Sequence, residues 1–182
     1  MFDKSRGWLA YIEMAEAILR RPIKILVPVR DLRGVLSSFE KLWRKSAGLQ
    51  QASQEREHYF PWQSIAGRCE VWMRGDQPVG LAYNRIKDAL QRGYRNRLHF
   101  VEYESLCKNP AKVMQDVYEF LGEPLFTHDF AHVQQVTQED DTVFGFGAKN
   151  LHTIQPKIEA AIEDWAQVLG TTAAAYKGLE VW

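Results

Sequence analysis

Arg30 and Ser38 stand eight residues apart where a short apolar run gives way to a helical pattern. A guanidinium offers a planar fork of donors that matches a phosphate, and a serine hydroxyl adds one more bond. The surroundings favour an anion. Residues 20 to 45 hold eight basic side chains, Arg20, Arg21, Lys24, Arg30, Arg33, Lys41, Arg44 and Lys45, against two acidic ones, Asp31 and Glu40. The whole chain balances 23 basic against 23 acidic residues. A local basic strip on a neutral protein suits one anionic ligand better than a long polyanion or an anionic membrane. The plainer alternative stays open: Arg30 pairs with Asp31 or Glu104, and Ser38 is packing.

The elements that would position these residues follow from periodicity. Leu9, Ile12, Met14, Ala15, Ile18 and Leu19 predict an amphipathic helix over about residues 6–20. After Arg21-Pro22, the run Ile23-Lys24-Ile25-Leu26-Val27-Pro28-Val29 reads as a strand buried on both faces. A five-residue turn, Arg30 to Gly34, leads to a helix over about 33–45 carrying Val35, Leu36, Phe39, Leu42 and Trp43. Residues 46–61 are polar and glutamine-rich, a loop or lid. Helices are expected at about 62–73 and 78–93, then a second strand at Leu98–Val101 and a turn from Glu104 to Cys107. Asn109-Pro110 opens a helix that Gly122 closes. Residues 137–156 read as a long loop, and Pro156 as the start of a last helix through Trp165. Strands alternating with helices argue for an α/β protein with a parallel sheet flanked by helices. Ligands of such sheets bind beyond the strands' C-terminal ends, here Arg30 and Tyr103.

Composition narrows the class. The chain has 182 residues, 46% hydrophobic and 25% charged, as a globular domain does. No stretch is apolar enough to span a bilayer, and the N-terminus has no signal-peptide core. Cys69 and Cys107 make neither a disulfide framework nor a metal pair, so a cytoplasmic, reducing compartment is expected. His128 and His132 lack a third ligand, and no metal is expected.

The segment Ile25-Leu26-Val27-Pro28-Val29-Arg30-Asp31-Leu32-Arg33-Gly34-Val35-Leu36-Ser37-Ser38 resembles the 3′-phosphate-binding segment of sulfotransferases, a hydrophobic strand followed by V-R-D-x-R-x-V-x-x-S. A second segment agrees. Phe100-Val101-Glu102-Tyr103-Glu104-Ser105-Leu106, then Asn109-Pro110 and Tyr118-Glu119-Phe120-Leu121-Gly122, is similar to the family's strand, R-Y-E-D-L, proline and F-L-G. Phe126–Phe130 and His152–Lys157 further resemble bacterial and phage-like members.

The resemblance implies a P-loop-like α/β fold over residues 1–182 and transfer of a sulfuryl group from 3′-phosphoadenosine-5′-phosphosulfate to an acceptor hydroxyl. That hydroxyl would belong to a small molecule, glycan or lipid. Nucleic acid is not an expected partner, and an oligomer is compatible with the sequence. The resemblance places the 3′-phosphate on Arg30 and Ser38 and the adenosine side on Tyr103. Lys149 and His152 become further cofactor contacts, and Asp3 or Lys4 the base or donor beside the acceptor.

The departures shape the expectation. The family begins with a strand and a P-K-S-G-T-T-W loop that holds the 5′-phosphosulfate. Lys4-Ser5-Arg6-Gly7-Trp8-Leu9 lacks the preceding strand, and residues 2–8 match better the segment ahead of the V-R-D helix–strand pair. Gln155 stands where bacterial members often carry Arg. The expectation is therefore a sulfotransferase domain without its N-terminal strand and phosphate loop, poorly active as given. The rival from another class is a non-catalytic remnant or interaction module that pairs through its sheet edge. A nucleotide kinase is disfavoured by the absence of G-x-x-x-x-G-K-[ST].

Overall fold

The computed structural model describes residues 2–46, 59–137, 140, 152–160 and 164–182. They form two compact units, one of residues 1–30, 75–127 and 181–182, the other of residues 31–74 and 128–180.

The first unit is built on a sheet of two parallel strands, β1 (Ile25–Val29) and β2 (Leu98–Glu102). Their register runs from Ile25 opposite Leu98 to Val29 opposite Glu102. Both strands therefore end at one edge, with Arg30 and Tyr103 as the next residues. Helix α1 (Ile12–Leu19) follows a 3₁₀ turn at Trp8–Ala10 and stops at Arg20, whose φ of 52° is left-handed. The stop suits Arg21-Pro22, because a proline disfavours helical backbone in the residue before it. Ile12, Val27, Val29, Ile86, Ala89 and Leu98 form the buried core, with Leu9, Ile23, Phe100 and Trp182 packed on it. Pro28 is exposed between buried Val27 and Val29, so the strand is not buried on both faces along its length as expected.

Helix α5 (Pro78–Gln91), whose first residue is a proline, brings Ile86 and Ala89 to that core. After β2 the expected turn from Glu104 to Cys107 is instead helix α6 (Tyr103–Lys108). Ser105 Oγ donates to the Glu102 carboxylate at 3.0 Å, tying the first turn to the strand end. Glu104 in the first turn and Lys108 in the last complement the helix dipole. Asn109 ends α6 and caps α7 (Pro110–Leu121), accepting the Lys112 N–H at 3.2 Å. Gly122, at φ 74°, takes the left-handed residue that closes α7. Lys24 Nζ donates to the Leu121 carbonyl at 2.8 Å, and His99 stacks on Phe120, which fixes α7 on the sheet.

The second unit centres on α2 (Leu32–Ser46) with α3 (Tyr59–Trp62), α4 (Ile65–Trp72) and α8 (Trp165–Leu169). The helix starts earlier than its apolar stripe predicts. Asp31 Oδ1 accepts the Arg33 N–H at 2.8 Å, an N-cap that shortens the expected turn to Arg30 and Asp31. Leu32 and Leu36 are buried, and Phe39 meets Trp72 at 5.6 Å between ring centres. Ser64 caps α4 by accepting the Gly67 N–H at 3.0 Å. Gly67 admits no side chain, since a Cβ there would lie 2.2 Å from the Pro61 carbonyl oxygen.

Glu40 is fully buried beneath this helix pair and is held by two arginines. Arg68 reaches both of its carboxylate oxygens at 2.7 Å, and Arg44 reaches one at 2.7 Å. Arg68 also donates to the Trp62 carbonyl and lies 3.9 Å from the Trp43 ring.

The last predicted helix does not begin at Pro156. The Pro156 carbonyl accepts the Val133 N–H, and the Ile158 N–H donates to the Phe130 carbonyl. These backbone groups bond across to residues 130–133 and are not spent along a helix. Helix begins at Trp165, and a 3₁₀ segment, Gly170–Tyr176, follows. The glutamine-rich 47–58 stretch and most of the 137–156 loop fall outside the described residues.

Candidate functional site

Parallel pairing decides where the first unit's chemistry can lie. In a parallel pair both chains run out at the same end, so the residues after Val29 and Glu102 emerge side by side. Arg30 and Tyr103 are those residues. The Arg30 guanidinium carbon sits 4.4 Å from the centre of the Tyr103 ring. A cation over a π face at this distance is attracted by the ring quadrupole. The Arg30 Nε is also 3.9 Å from the Glu104 Oε1, with the Arg30 side chain about one-fifth exposed. The arginine is thus steered by a ring and a carboxylate at the strand end.

The structure bears on the plainer reading of Arg30. The arginine does lean on Glu104, as that reading supposed, but Asp31 is engaged elsewhere. Its carboxylate grips the Arg33 guanidinium through Nε at 2.9 Å and through Nη2. The Arg33 bond is the main cause that holds the Asp31 carboxyl below its ordinary pKa. Arg33 in turn lies 4.1 Å from the Trp165 ring.

Ser38 belongs to the second unit, on the exposed side of α2. Its hydroxyl donates to the Gly34 carbonyl one turn back at 3.0 Å. Its neighbour Ser37 is buried, with its hydroxyl 3.4 Å from Asp164 Oδ1. Asp164 also receives Lys41 Nζ at 2.5 Å, and that bond is the main cause of its lowered pKa. The first amide of α2, Leu32 N–H, donates to Glu180 Oε1 at 3.2 Å. Nothing in the local sequence signals that Glu180 reaches this helix start, 148 residues away in the chain. The Asp31–Arg33 grip corrects the expectation that Asp31 would serve Arg30.

The other candidates are placed as follows. Asp3 is exposed and accepts the Trp8 indole N–H at 2.7 Å, and Lys4 is exposed. His152 is exposed, with its carbonyl accepting from Gln135 Nε2 at 3.4 Å. Lys149 lies outside the described residues. Of the predicted site residues, the structure brings Arg30 and Tyr103 together in the first unit. Among the described residues no group of three or more His, Cys, Asp or Glu is arranged to hold a metal ion, and no helix is long and apolar enough to cross a membrane.

Comparison with known proteins converges on the same segments. The chain is 26% identical to carbohydrate sulfotransferase 1 of Mus musculus over 149 residues, 80% of this chain and 33% of that protein. It is 27% identical to carbohydrate sulfotransferase 1 of Rattus norvegicus over 127 residues, 68% of this chain and 29% of that protein. The human carbohydrate sulfotransferase 1 is 26% identical over 129 residues, again 68% of this chain and 29% of that protein. The chain therefore spans about a third of the length of the curated relatives it matches. No solved structure matches it. The family model of the sulfotransferase domain covers residues 9–161, from the turn before α1, through both strands and the Arg30–Tyr103 pair, into the stretch before α8, and the chain belongs to the sulfotransferase family.

Proposed function

We propose that this chain binds 3′-phosphoadenosine-5′-phosphosulfate and serves transfer of its sulfuryl group to a glycan hydroxyl. The observation that carries the reading is Arg30 held over Tyr103 at the shared end of two parallel strands. In this reading Arg30 takes the nucleotide's 3′-phosphate and Tyr103 lines the adenosine side. The carbohydrate acceptor is suggested by the similarity to carbohydrate sulfotransferases. Sulfuryl transfer builds negative charge on the leaving oxygen and on the equatorial oxygens, which asks for cationic or N–H donors and a base near the acceptor. Asp3 or Lys4 would take the latter role, with Asp3 released from Trp8 to do so. No metal is called for by this chemistry.

The test is thermal stabilisation by 3′-phosphoadenosine-5′-phosphate. A ligand at a hundred times its dissociation constant adds about 2.7 kcal/mol, enough to read as a melting shift of several degrees. The shift is expected in the wild type and absent in Arg30→Ala. A wild type that does not shift, or an Arg30→Ala variant that shifts as fully, refutes the reading.

A further inference from the structure

Helix α1 carries two apolar sides, and the core uses one of them. Ile12 and Ala15 are buried in the first unit. Tyr11, Met14 and Ile18, spaced by three and four residues, line a second stripe and are 51%, 51% and 71% exposed. Ala10 and Ala17 flank the stripe and are exposed as well. A stripe of this kind on a surface helix is an interaction face unless something shields it.

Charge says what kind of surface would cover it. The two carboxylates of α1 point away from the stripe and are already engaged. Glu13 accepts from Arg92 at 2.5 Å, and Glu16 accepts from Arg97 at 2.7 Å. At the end of the helix, Arg20 and Arg21 are both exposed, and Lys4 and Arg6 stand exposed ahead of its start. The remaining acid of the segment, Asp3, is bonded to Trp8. The stripe is therefore apolar, without a carboxylate on its own side, and bracketed by cations. A second copy laid on the same face would set these cations against a surface whose carboxylates are taken. An anionic bilayer surface meets both features: acyl chains receive the apolar stripe, and lipid phosphates or carboxylates receive the arginines.

We propose that α1 is a docking face for anionic lipid headgroups, lying in the membrane plane without crossing it. The proposal is independent of the nucleotide site. It also qualifies the expectation from zero net charge, because headgroup attraction acts over a Debye length and reads the local patch, not the whole chain.

The test is co-sedimentation of the full chain with vesicles of phosphatidylcholine alone and of phosphatidylcholine with phosphatidylserine. Retention on the anionic vesicles, reduced by high salt, is expected, with about tenfold weaker partitioning to the neutral ones. Met14→Ser with Ile18→Ser, and separately Arg20→Glu with Arg21→Glu, each weaken partitioning by about tenfold while circular dichroism stays unchanged. Lys157→Glu, far along the chain, leaves partitioning as it was. The proposal is overturned if the chain stays in solution, if both vesicle types retain it equally, or if the α1 variants partition like the wild type. It is equally overturned if the chain elutes as a dimer that Met14→Ser with Ile18→Ser converts to a monomer, since the face would then belong to a second copy.

Discussion

Removing the carboxylate of Glu40 should be among the most damaging single changes in this protein. Glu40 is fully buried, and the side chain of Arg68 is 6% exposed. Two bonds of 2.7 Å join them, and Arg68 spends its other terminal nitrogen on the Trp62 carbonyl. In Glu40→Ala the Arg68 charge stays in place without its counter-ion, next to Trp43. Breaking a buried pair from one side costs about 3–5 kcal/mol. For a protein of this size each kcal/mol lowers the melting temperature by roughly 2–4 °C, so the drop should be about 6–20 °C. Arg44 offers the internal control. Its side chain is 48% exposed, so Arg44→Ala should cost only about 1 kcal/mol. Replacing both buried partners, as in Glu40→Leu with Arg68→Met, removes the stranded charge and should recover most of the loss. Thermal and urea melts followed by circular dichroism measure all four proteins. If Glu40→Ala proves no worse than Arg44→Ala, or the double variant is worse than either single one, the buried-pair reasoning fails.

The same carboxylate predicts acid lability. Burial by itself would raise the Glu40 pKa, but the bonds from Arg68 and Arg44 outweigh it, and the net shift is downward. Asp31 is lowered too, chiefly by Arg33. A folded-state pKa below the unfolded one gives stability that is present above the ordinary carboxylate range and lost as pH falls through the folded value. Melting temperature should therefore be flat from neutrality down to about pH 5 and fall below about pH 4, with a shallower fall in Glu40→Gln. A melting temperature that holds to pH 3 contradicts this. Cys69 should be inert, since burial pushes its thiol up to about 11 and leaves it 0% exposed. Maleimide at neutral pH should modify the partly exposed Cys107 in the native protein and both cysteines after unfolding, as mass spectrometry would show. Native labelling of Cys69 would contradict its placement.

The strand–helix skeleton was legible because its signals are local. β-branched runs marked β1 and β2, and Asn109-Pro110 and Gly122 marked both ends of α7. Arg30 and Tyr103 were legible as residues that follow strands, and parallel pairing then required them to emerge together. What stayed hidden depends on partners distant in the chain. Pro156 looked like a helix start, but the cross-bonds of Pro156 and Ile158 to residues 130–133 claim its backbone. Helix α6 is the exception, since the Glu102 carboxylate that accepts from Ser105 and ties the helix to the strand end is only three residues back. Glu40 read as one acid in a basic strip. Its burial depends on Arg68, which α4 delivers from 28 residues on.

The central claim is that Arg30, steered by Tyr103, recognises the 3′-phosphate of an adenine nucleotide. Calorimetric titration of the chain with 3′-phosphoadenosine-5′-phosphate and with adenosine 5′-phosphate isolates that phosphate, because the two ligands differ in nothing else. Charge-assisted bonds to one phosphate are worth roughly 1.5–3 kcal/mol, so the bisphosphate should bind about ten- to a hundredfold more tightly. Arg30→Ala should erase the difference while leaving the weaker ligand's affinity nearly unchanged. Equal affinity for the two nucleotides in the wild type, or a preference that survives Arg30→Ala, would contradict the account.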